Sequence, residues 1–223
     1  MPKQPTLSVV FPNYNHAHYL PIQLDAMVKQ SRKPDEIIII DDNSIDESVK
    51  VIENYISKYP FIKLVKNIKN MGVEYNINKL IEMANCDYIF LSASDDKVLP
   101  RFFEKSMNLL SIYPEAGLCS AMVRLIGEQG EDRNIRAMPV ISNKAIFLSP
   151  EEVKNTLCKY GRWITISSMI MKRSLLIKEG GQRLELGSFA DNFLALLISM
   201  RHGACFIPEP LGCWRQMATG HGS

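Results

Sequence analysis

Two acidic pairs follow apolar runs short enough to be strands. Asp41-Asp42 comes directly after Ile37–Ile40, and Asp95-Asp96 ends the stretch Ser92-Ala93-Ser94 that follows Tyr88–Leu91. Hard divalent cations such as Mn2+ and Mg2+ take oxygen ligands and are often held by one or two carboxylates plus substrate phosphates. Asp95-Asp96 can therefore hold a metal that neutralises a departing diphosphate as a Lewis acid. Asp41-Asp42 can accept hydrogen bonds from a nucleobase N–H or from ribose hydroxyls, as acids do in dinucleotide folds. Each pair also has a plainer alternative, capping the turn or helix that follows. For the first pair, Asn43 or Ser44 can cap and leave one Asp free. Four carboxylates on one rim repel each other unless cations or hydrogen-bond donors compensate.

Other side chains could join such a site. Tyr14, in Pro12-Asn13-Tyr14-Asn15, can stack on a base or wedge its own loop. Arg215 can meet a diphosphate through its planar fork or form an ordinary ion pair. His16 and His18, two residues apart, cannot clamp one metal from a helical face; they can touch a phosphate, though a surface role is favoured. Trp163 and Trp214 can shape a sugar pocket, though core packing is the favoured reading.

The elements that must carry these groups alternate strand and helix. Leu7–Phe11, Glu36–Ile40, Phe61–Val65 and Tyr88–Leu91 are β-rich apolar runs. Helical spacing spans His18–Ser31, and a capping box at Ser44–Glu47 predicts a helix to about Tyr59. Further helices are expected at Tyr75–Ala84 and at Phe102–Tyr113, with Pro100 in the first helical position. Glu36–Ile40 is apolar and β-branched after its first residue, which marks a strand buried on both faces of a parallel sheet. Repeated β-α units imply a doubly wound sheet covered by helices. Ligands then bind outside the carboxyl ends of the strands.

Past residue 115 the rhythm changes. Ala116–Val123 and Ile164–Met171 are strand-like, and Gly127–Asn143 is polar, aperiodic and expected to be a loop. Glu151–Cys158 and Phe189–Arg201 read as helices, and Cys205–Ile207 and Leu211–Arg215 as two closing strands separated by Pro208 and Pro210. A change of role within one single domain is expected near residue 115, dividing 1–115 from 116–223.

Composition narrows the function. With 46% hydrophobic and 22% charged residues and a net charge of +2, the chain reads as globular and lacks the basic excess of a nucleic-acid binder. Its apolar runs fall short of the ~20 residues of a membrane span. Five cysteines in no metal-site spacing argue against zinc and against a disulfide framework, and fit a cytoplasmic location.

The segments LSVVFPNYN, EIIIIDDNS, Asn70-Met71-Gly72 followed by Asn78-Lys79, and IFLSASDD resemble, in order, the nucleotide-sugar-binding half of a family 2 glycosyltransferase with the GT-A fold. Gly180-Gly181, GSFADNF, Gly203 and IPEPLGCWR resemble its acceptor-side segment and closing strands. The resemblance implies an α/β fold of GT-A type: a Rossmann-like, mostly parallel central sheet flanked by helices, with a smaller acceptor-side subdomain. It makes residues 1–115 the nucleotide-sugar-binding half and 116–223 the acceptor-binding half of the same single domain. It implies inverting transfer of a sugar from a nucleotide-diphosphate donor, UDP being the commonest, to a hydroxyl of a saccharide, lipid-linked or protein acceptor. No nucleic acid is expected; peripheral association with the inner face of a membrane is compatible with this reading.

By position, the resemblance makes Pro12 and Tyr14 lining for the base and ribose. Asp42, with Asp41 beside it, accepts from the base or supports its neighbour. Asp95 reaches ribose or metal and Asp96 the metal, Mn2+ or Mg2+, with Ser94 where many members carry a third acid. Asp191 falls where the family often has Glu-Asp, here preceded by Ala190, and is the expected base that takes the acceptor proton. An Asp in a first helical turn is also favoured by the helix dipole alone. His221 is a further metal ligand by analogy with members that carry a late His. Two other readings stay open: a domain that binds a sugar nucleotide without turning it over, and a nucleotidyltransferase. A receiver-type signalling domain would end about 100 residues earlier.

Overall fold

The computed structural model describes residues 4–217. Its first half runs β1 (Leu7–Asn13), α1 (Leu20–Val28), β2 (Glu36–Asp41), α2 (Ser48–Ile56), β3 (Ile62–Lys66), α3 (Val73–Met83), β4 (Tyr88–Leu91), β5 (Lys97–Val98) and α4 (Phe102–Ile112). The second half adds β6 (Leu118–Ile126), β7 (Asp132–Ile135), β8 (Ile146–Leu148), α5 (Pro150–Tyr160), β9 (Met169–Lys172), α6 (Arg173–Lys178), α7 (Ala190–His202) and β10 (Ala204–Arg215). Ten strands among the described residues form one sheet, ordered β3-β2-β1-β4-β9-β6-β10-β5, with β7 beside β6 and β8 beside β10. The β3-β2-β1-β4 part is parallel, whereas β9 runs antiparallel between β4 and β6. Both halves of the chain thus share a single sheet of α/β type.

Successive residues of a strand point to opposite faces, and both faces are covered. Val9, Phe11, Ile37 and Ile39 pack with α1 and α4. Val10, Ile38, Ile40 and Ile89 pack with α3, α5 and α7. This two-sided burial is why the strands are continuously apolar instead of alternating. At the amino end of the sheet, Glu36 is buried and bound: its Oε1 accepts from the Ser8 hydroxyl (2.7 Å) and the Asn85 N–H (2.8 Å), and its Oε2 accepts from Lys63 Nζ (2.9 Å).

Four local expectations change. The Ser44 capping box does not form, because α2 begins at Ser48. The Ser44 hydroxyl is instead committed to Asp41 Oδ1 at 2.6 Å and accepts from the Asn15 N–H at 3.0 Å. Pro100 precedes the helix cap: Arg101, at φ 68°, is the cap of α4. The polar Gly127–Asn143 stretch contains β7, antiparallel to β6; its four residues are exposed, so it lacks apolar alternation. The two closing strands are one continuous β10, whose register against β6 shifts between Ile207 and Pro210 and again between Pro210 and Gly212. Irregular pairing at bulges leaves room for prolines that cannot donate to a ladder. No helix among the described residues is long and apolar enough to cross a membrane.

Candidate active site

β1, β2 and β4 are parallel, so their carboxyl ends open on one edge of the sheet, with Asn13 paired to Asp41 across the rim. A cleft with two lobes lies there. One lobe, of about 550 Å³, is lined by Pro12, Tyr14, His16, Asp42, Gly72 and Gln182 among others. The second, of about 510 Å³, is lined by Arg136, Arg162, Trp214 and Arg215 among others. The lobes share Ala93, Asp95, Asp96, Ile166, Ser167, Asp191 and Met217. Three of the acids expected from sequence therefore meet at the junction.

In the first lobe Tyr14 is 45% exposed, so its ring is free to receive a flat partner. Asp42 is strongly tethered. Its Oδ1 accepts from Asn67 Nδ2 (2.7 Å) and the Met71 N–H (2.8 Å), and its Oδ2 accepts from the Gly72 N–H (2.9 Å). Burial opposes its ionisation, but these bonds outweigh it and hold the carboxyl below its ordinary value. Gly72, at φ 87°, makes the turn into α3, a conformation that glycine adopts without steric penalty. Asp41 stays out of the cleft lining. Its Oδ1 accepts from Asn13 Nδ2 (2.9 Å) and the Ser44 hydroxyl, and its Oδ2 accepts from the Ser44 N–H (3.0 Å). Asp42 thus faces the cleft, while Asp41 holds the turn behind it.

The loop after β4 is secured from three sides. Gln23 Nε2, buried on α1, donates to Ser92 Oγ (2.7 Å) and the Ala93 carbonyl (2.8 Å). His16 Nδ1 lies 2.6 Å from Ser94 Oγ, and burial lowers the His16 pKa against the opposing pull of Asp95. Arg215 closes the third side. Its N–H donates to Asp96 Oδ1 (2.9 Å) and its Nε to the Asp95 carbonyl (2.7 Å). Burial, then the charge of Asp95, pushes the Asp96 carboxyl up to about 7, against donation from Arg215 N–H and from Ser167. A carboxylate so disfavoured is suited to a cation, and two adjacent acids are the donor set that a magnesium- or manganese-type ion uses when substrate phosphates and water complete its shell. No group of three or more His, Cys, Asp or Glu side chains poised for a metal is found among the described residues. The fit is therefore to an ion that arrives with its phosphates, not to an all-protein cage. His221 lies outside the described residues.

Asp191 sits in the first turn of α7 and is half-buried. Burial raises its pKa, and bonds from the Asn192 N–H and side chain oppose that rise only in part. Arg215 does not extend into the cleft as a free fork: Nη1 donates to the carbonyls of Gly127 and Glu128, both at 2.9 Å. The ordinary surface ion pair favoured for Arg215 is not found among the described residues; the side chain is a buried tie to backbone carbonyls. Trp163 is core, edge-on to Phe206 at 5.6 Å, whereas Trp214 lines the second lobe.

Gln23, Gln182, Arg136 and Arg162 were not singled out by sequence. Gln182 follows the flagged Gly180-Gly181 pair, and Asn78 clamps it by accepting from its N–H (2.7 Å) and donating to its carbonyl (2.8 Å). Its adjacency to that motif was a usable signal. Gln23 and the two arginines stand in a helix and in irregular chain, where nothing in the pattern marks them.

The family model described as Glycosyl transferase family 2 matches residues 8–179. An uncharacterized glycosyltransferase of Haemophilus influenzae is 35% identical over 106 residues, 48% of this chain and 42% of that protein. The cholesterol galactosyltransferase of Borreliella burgdorferi is 35% identical over 102 residues, 46% of this chain and 28% of that protein. The first relatives found, from mycobacteria, are matched over only 37% of their length, so the chain spans well under two thirds of them. Among solved structures, S. aureus TarS 1-349 in complex with UDP-GlcNAc superposes with a TM-score of 0.75 at 15% identity, covering 97% of this chain and 60% of that one. The mannosyltransferase PcManGT from Pyrobaculum calidifontis, in complex with GDP-Man and Mn2+, gives 0.69 at 19% identity, covering 96% and 57%. These likenesses show the GT-A fold. With a family model matched over most of its length and the acids of its motifs gathered on one rim, the chain belongs to glycosyl transferase family 2.

Proposed function

We propose that the protein transfers a sugar from a nucleotide-diphosphate donor, most simply a UDP-sugar, to an acceptor hydroxyl with inversion. The observation that carries this reading is the convergence of Asp95, Asp96 and Asp191 where the two lobes meet. Pro12, Tyr14 and Asp42 hold the nucleoside in the first lobe, with Asp41 positioning the Asp42 turn. Asp95 and Asp96 hold Mn2+ or Mg2+ together with the donor diphosphate. When bound, such an ion supplies Lewis-acid neutralisation of the leaving diphosphate. Asp191 takes the proton from the acceptor hydroxyl as its oxygen attacks the anomeric carbon opposite the diphosphate. The raised pKa that burial gives Asp191 makes it a stronger base than an exposed Asp.

The acceptor is a saccharide, a lipid-linked sugar or a protein hydroxyl. The five cysteines are all free, which fits a reducing cytoplasmic compartment, at the inner membrane face where the acceptor is lipid-linked. A second reading, binding without turnover, has one observation in its favour: Ser94 and Ala190 stand where an acid is common in the family.

The test is to incubate the protein with UDP-, GDP- and TDP-sugars and Mn2+ and measure free nucleoside diphosphate. Release from at least one donor, lost on removing the metal and on Asp96→Ala, is expected. Binding without release, with Asp191→Asn indistinguishable from wild type, supports the silent domain. Absence of binding to every nucleotide sugar ends the proposal.

A further inference from the structure

The second lobe is rich in charge, with Asp95, Asp96 and Asp191 on its lining. Three arginines line it, Arg136, Arg162 and Arg215, and none forms an ion pair among the described residues, whereas Arg32, Arg101, Arg124, Arg133 and Arg201 each pair with a carboxylate elsewhere. Arg215 spends its donors on carbonyls. The other two retain unused capacity. The Arg136 guanidinium lies 4.4 Å from the centroid of the Trp214 ring. Stacking of that kind fixes the plane of the fork and leaves its N–H edges available for a bidentate partner. Arg162 Nη1 donates to Asn192 Oδ1 at 2.6 Å, and Asn192 Nδ2 donates to Asp191 Oδ1 at 2.9 Å. An unbroken chain of side chains therefore links Arg162 to the candidate base.

Half-burial, and then the charge of Arg162, lowers the pKa of Arg136. Arg162, which is exposed, has the Asp191 carboxylate as its counter-charge; the half-buried Arg136 has no carboxylate partner among the described residues, and a bound anion would offset both its desolvation and its repulsion from Arg162. Arg136 and Arg162 line the second lobe and not the lobe that carries Pro12, Tyr14 and Asp42.

We infer that the second lobe takes an anionic acceptor, a saccharide or polyol whose phosphate or carboxylate docks on Arg136 and Arg162 beside the hydroxyl presented to Asp191. The inference rests on the transferase reading for its use of Asp191, while the anion site itself does not. Through Asn192, Arg162 sets the distance between the bound anion and the base, so the accepting hydroxyl lies close to the charged group.

Calorimetric titration of the full chain with glucose 6-phosphate, glucuronate and glucose, each with and without UDP and Mn2+, tests this. Tighter binding of at least one anionic sugar than of glucose is expected, and whether phosphate or carboxylate is preferred names the acceptor class. Arg162→Gln, at an exposed position, and Arg136→Gln should each weaken the anionic probe about tenfold and leave UDP affinity as in wild type. Equal binding of all three sugars overturns the inference, as does a parallel loss of UDP affinity in the arginine variants, which would assign them to the donor phosphates. A chain that binds the anionic probe but no UDP keeps the anion site and loses the transferase reading; one that binds UDP and treats the sugars alike does the reverse.

Discussion

The main-chain N–H of Arg215 donates to Asp96 Oδ1 at 2.9 Å, and the same residue's Nε donates to the carbonyl of Asp95 at 2.7 Å. The last strand of the described chain thereby fastens the acidic loop that follows β4, across 119 positions of sequence. Arg215 is 4% exposed, and its guanidinium also stacks over Tyr19 at 4.5 Å. Arg215→Leu removes the fork but keeps the N–H bond to Asp96, taking a donor from the carbonyls of Asp95 and Glu128 and leaving that of Gly127 with the Gly130 N–H alone. We expect a loss of about 2–4 kcal/mol in urea unfolding, with weaker nucleotide binding because the Asp95 backbone is released. An unchanged midpoint would show that the tie is idle.

For Asp191 the expected outcome is a split between binding and turnover. Asp191→Asn should leave donor affinity near wild type and lower kcat by ~10²–10⁴-fold, the usual contribution of a positioned base. Because burial raises the folded-state pKa, kcat of the wild type should climb with pH as the carboxyl ionises. The midpoint of that limb should lie above the ordinary Asp value of about 3.9. The Asn variant should show a flat profile there. Loss of donor binding in the variant would move Asp191 into the donor site.

Glu36 offers a stability test far from the chemistry. Burial opposes its ionisation, yet Lys63, the Asn85 N–H and Ser8 together hold its folded-state pKa below the ordinary value. The sign follows: the carboxylate's stabilisation is complete above the unfolded-state pKa of about 4.3 and fades as pH falls through the lower folded-state value. Glu36→Gln should cost about 2–3 kcal/mol at pH 7, and the gap to wild type should narrow in acid. A gap independent of pH would mean that packing, not charge, is what the substitution disturbs.

Gln182 is 5% exposed, lines the nucleoside lobe, and has a buried Nε2 without a hydrogen-bond partner. A buried orphan donor costs about 1–3 kcal/mol, and a ligand that accepts from it recovers that cost. Gln182→Leu should therefore weaken UDP-sugar binding about tenfold while leaving the melting temperature unchanged or raised. A fall in melting temperature with intact affinity would assign the side chain to the fold instead.

Much of the donor half was legible because its signals are local. Ile37–Ile40 can only be a strand buried on both faces, and Asp42, Asp95 and Asp96 follow their strands at fixed offsets, so a parallel sheet must bring them to one edge. Legibility failed where a local rule had a remote competitor. Ser44 has the pattern of a cap, but Asp41, three residues earlier, and Asn13 on the neighbouring strand claim its hydroxyl. β7 is exposed throughout and owes its form to β6, and β10 continues through two prolines because its register against β6 can slip.

The sequence by itself determined which acids stand at strand ends and that β1 to β4 run parallel, since period, β-branching and turn residues act within a few positions. Only the tertiary structure decided that Asp41 faces its own turn and Asp42 the cleft, that Arg215 is a tie and not a ligand, and that Arg136 and Arg162 share a lobe with Asp191. Those outcomes depend on which hydrogen-bond donors and charges remain unpaired once distant segments have packed, a quantity no local pattern encodes.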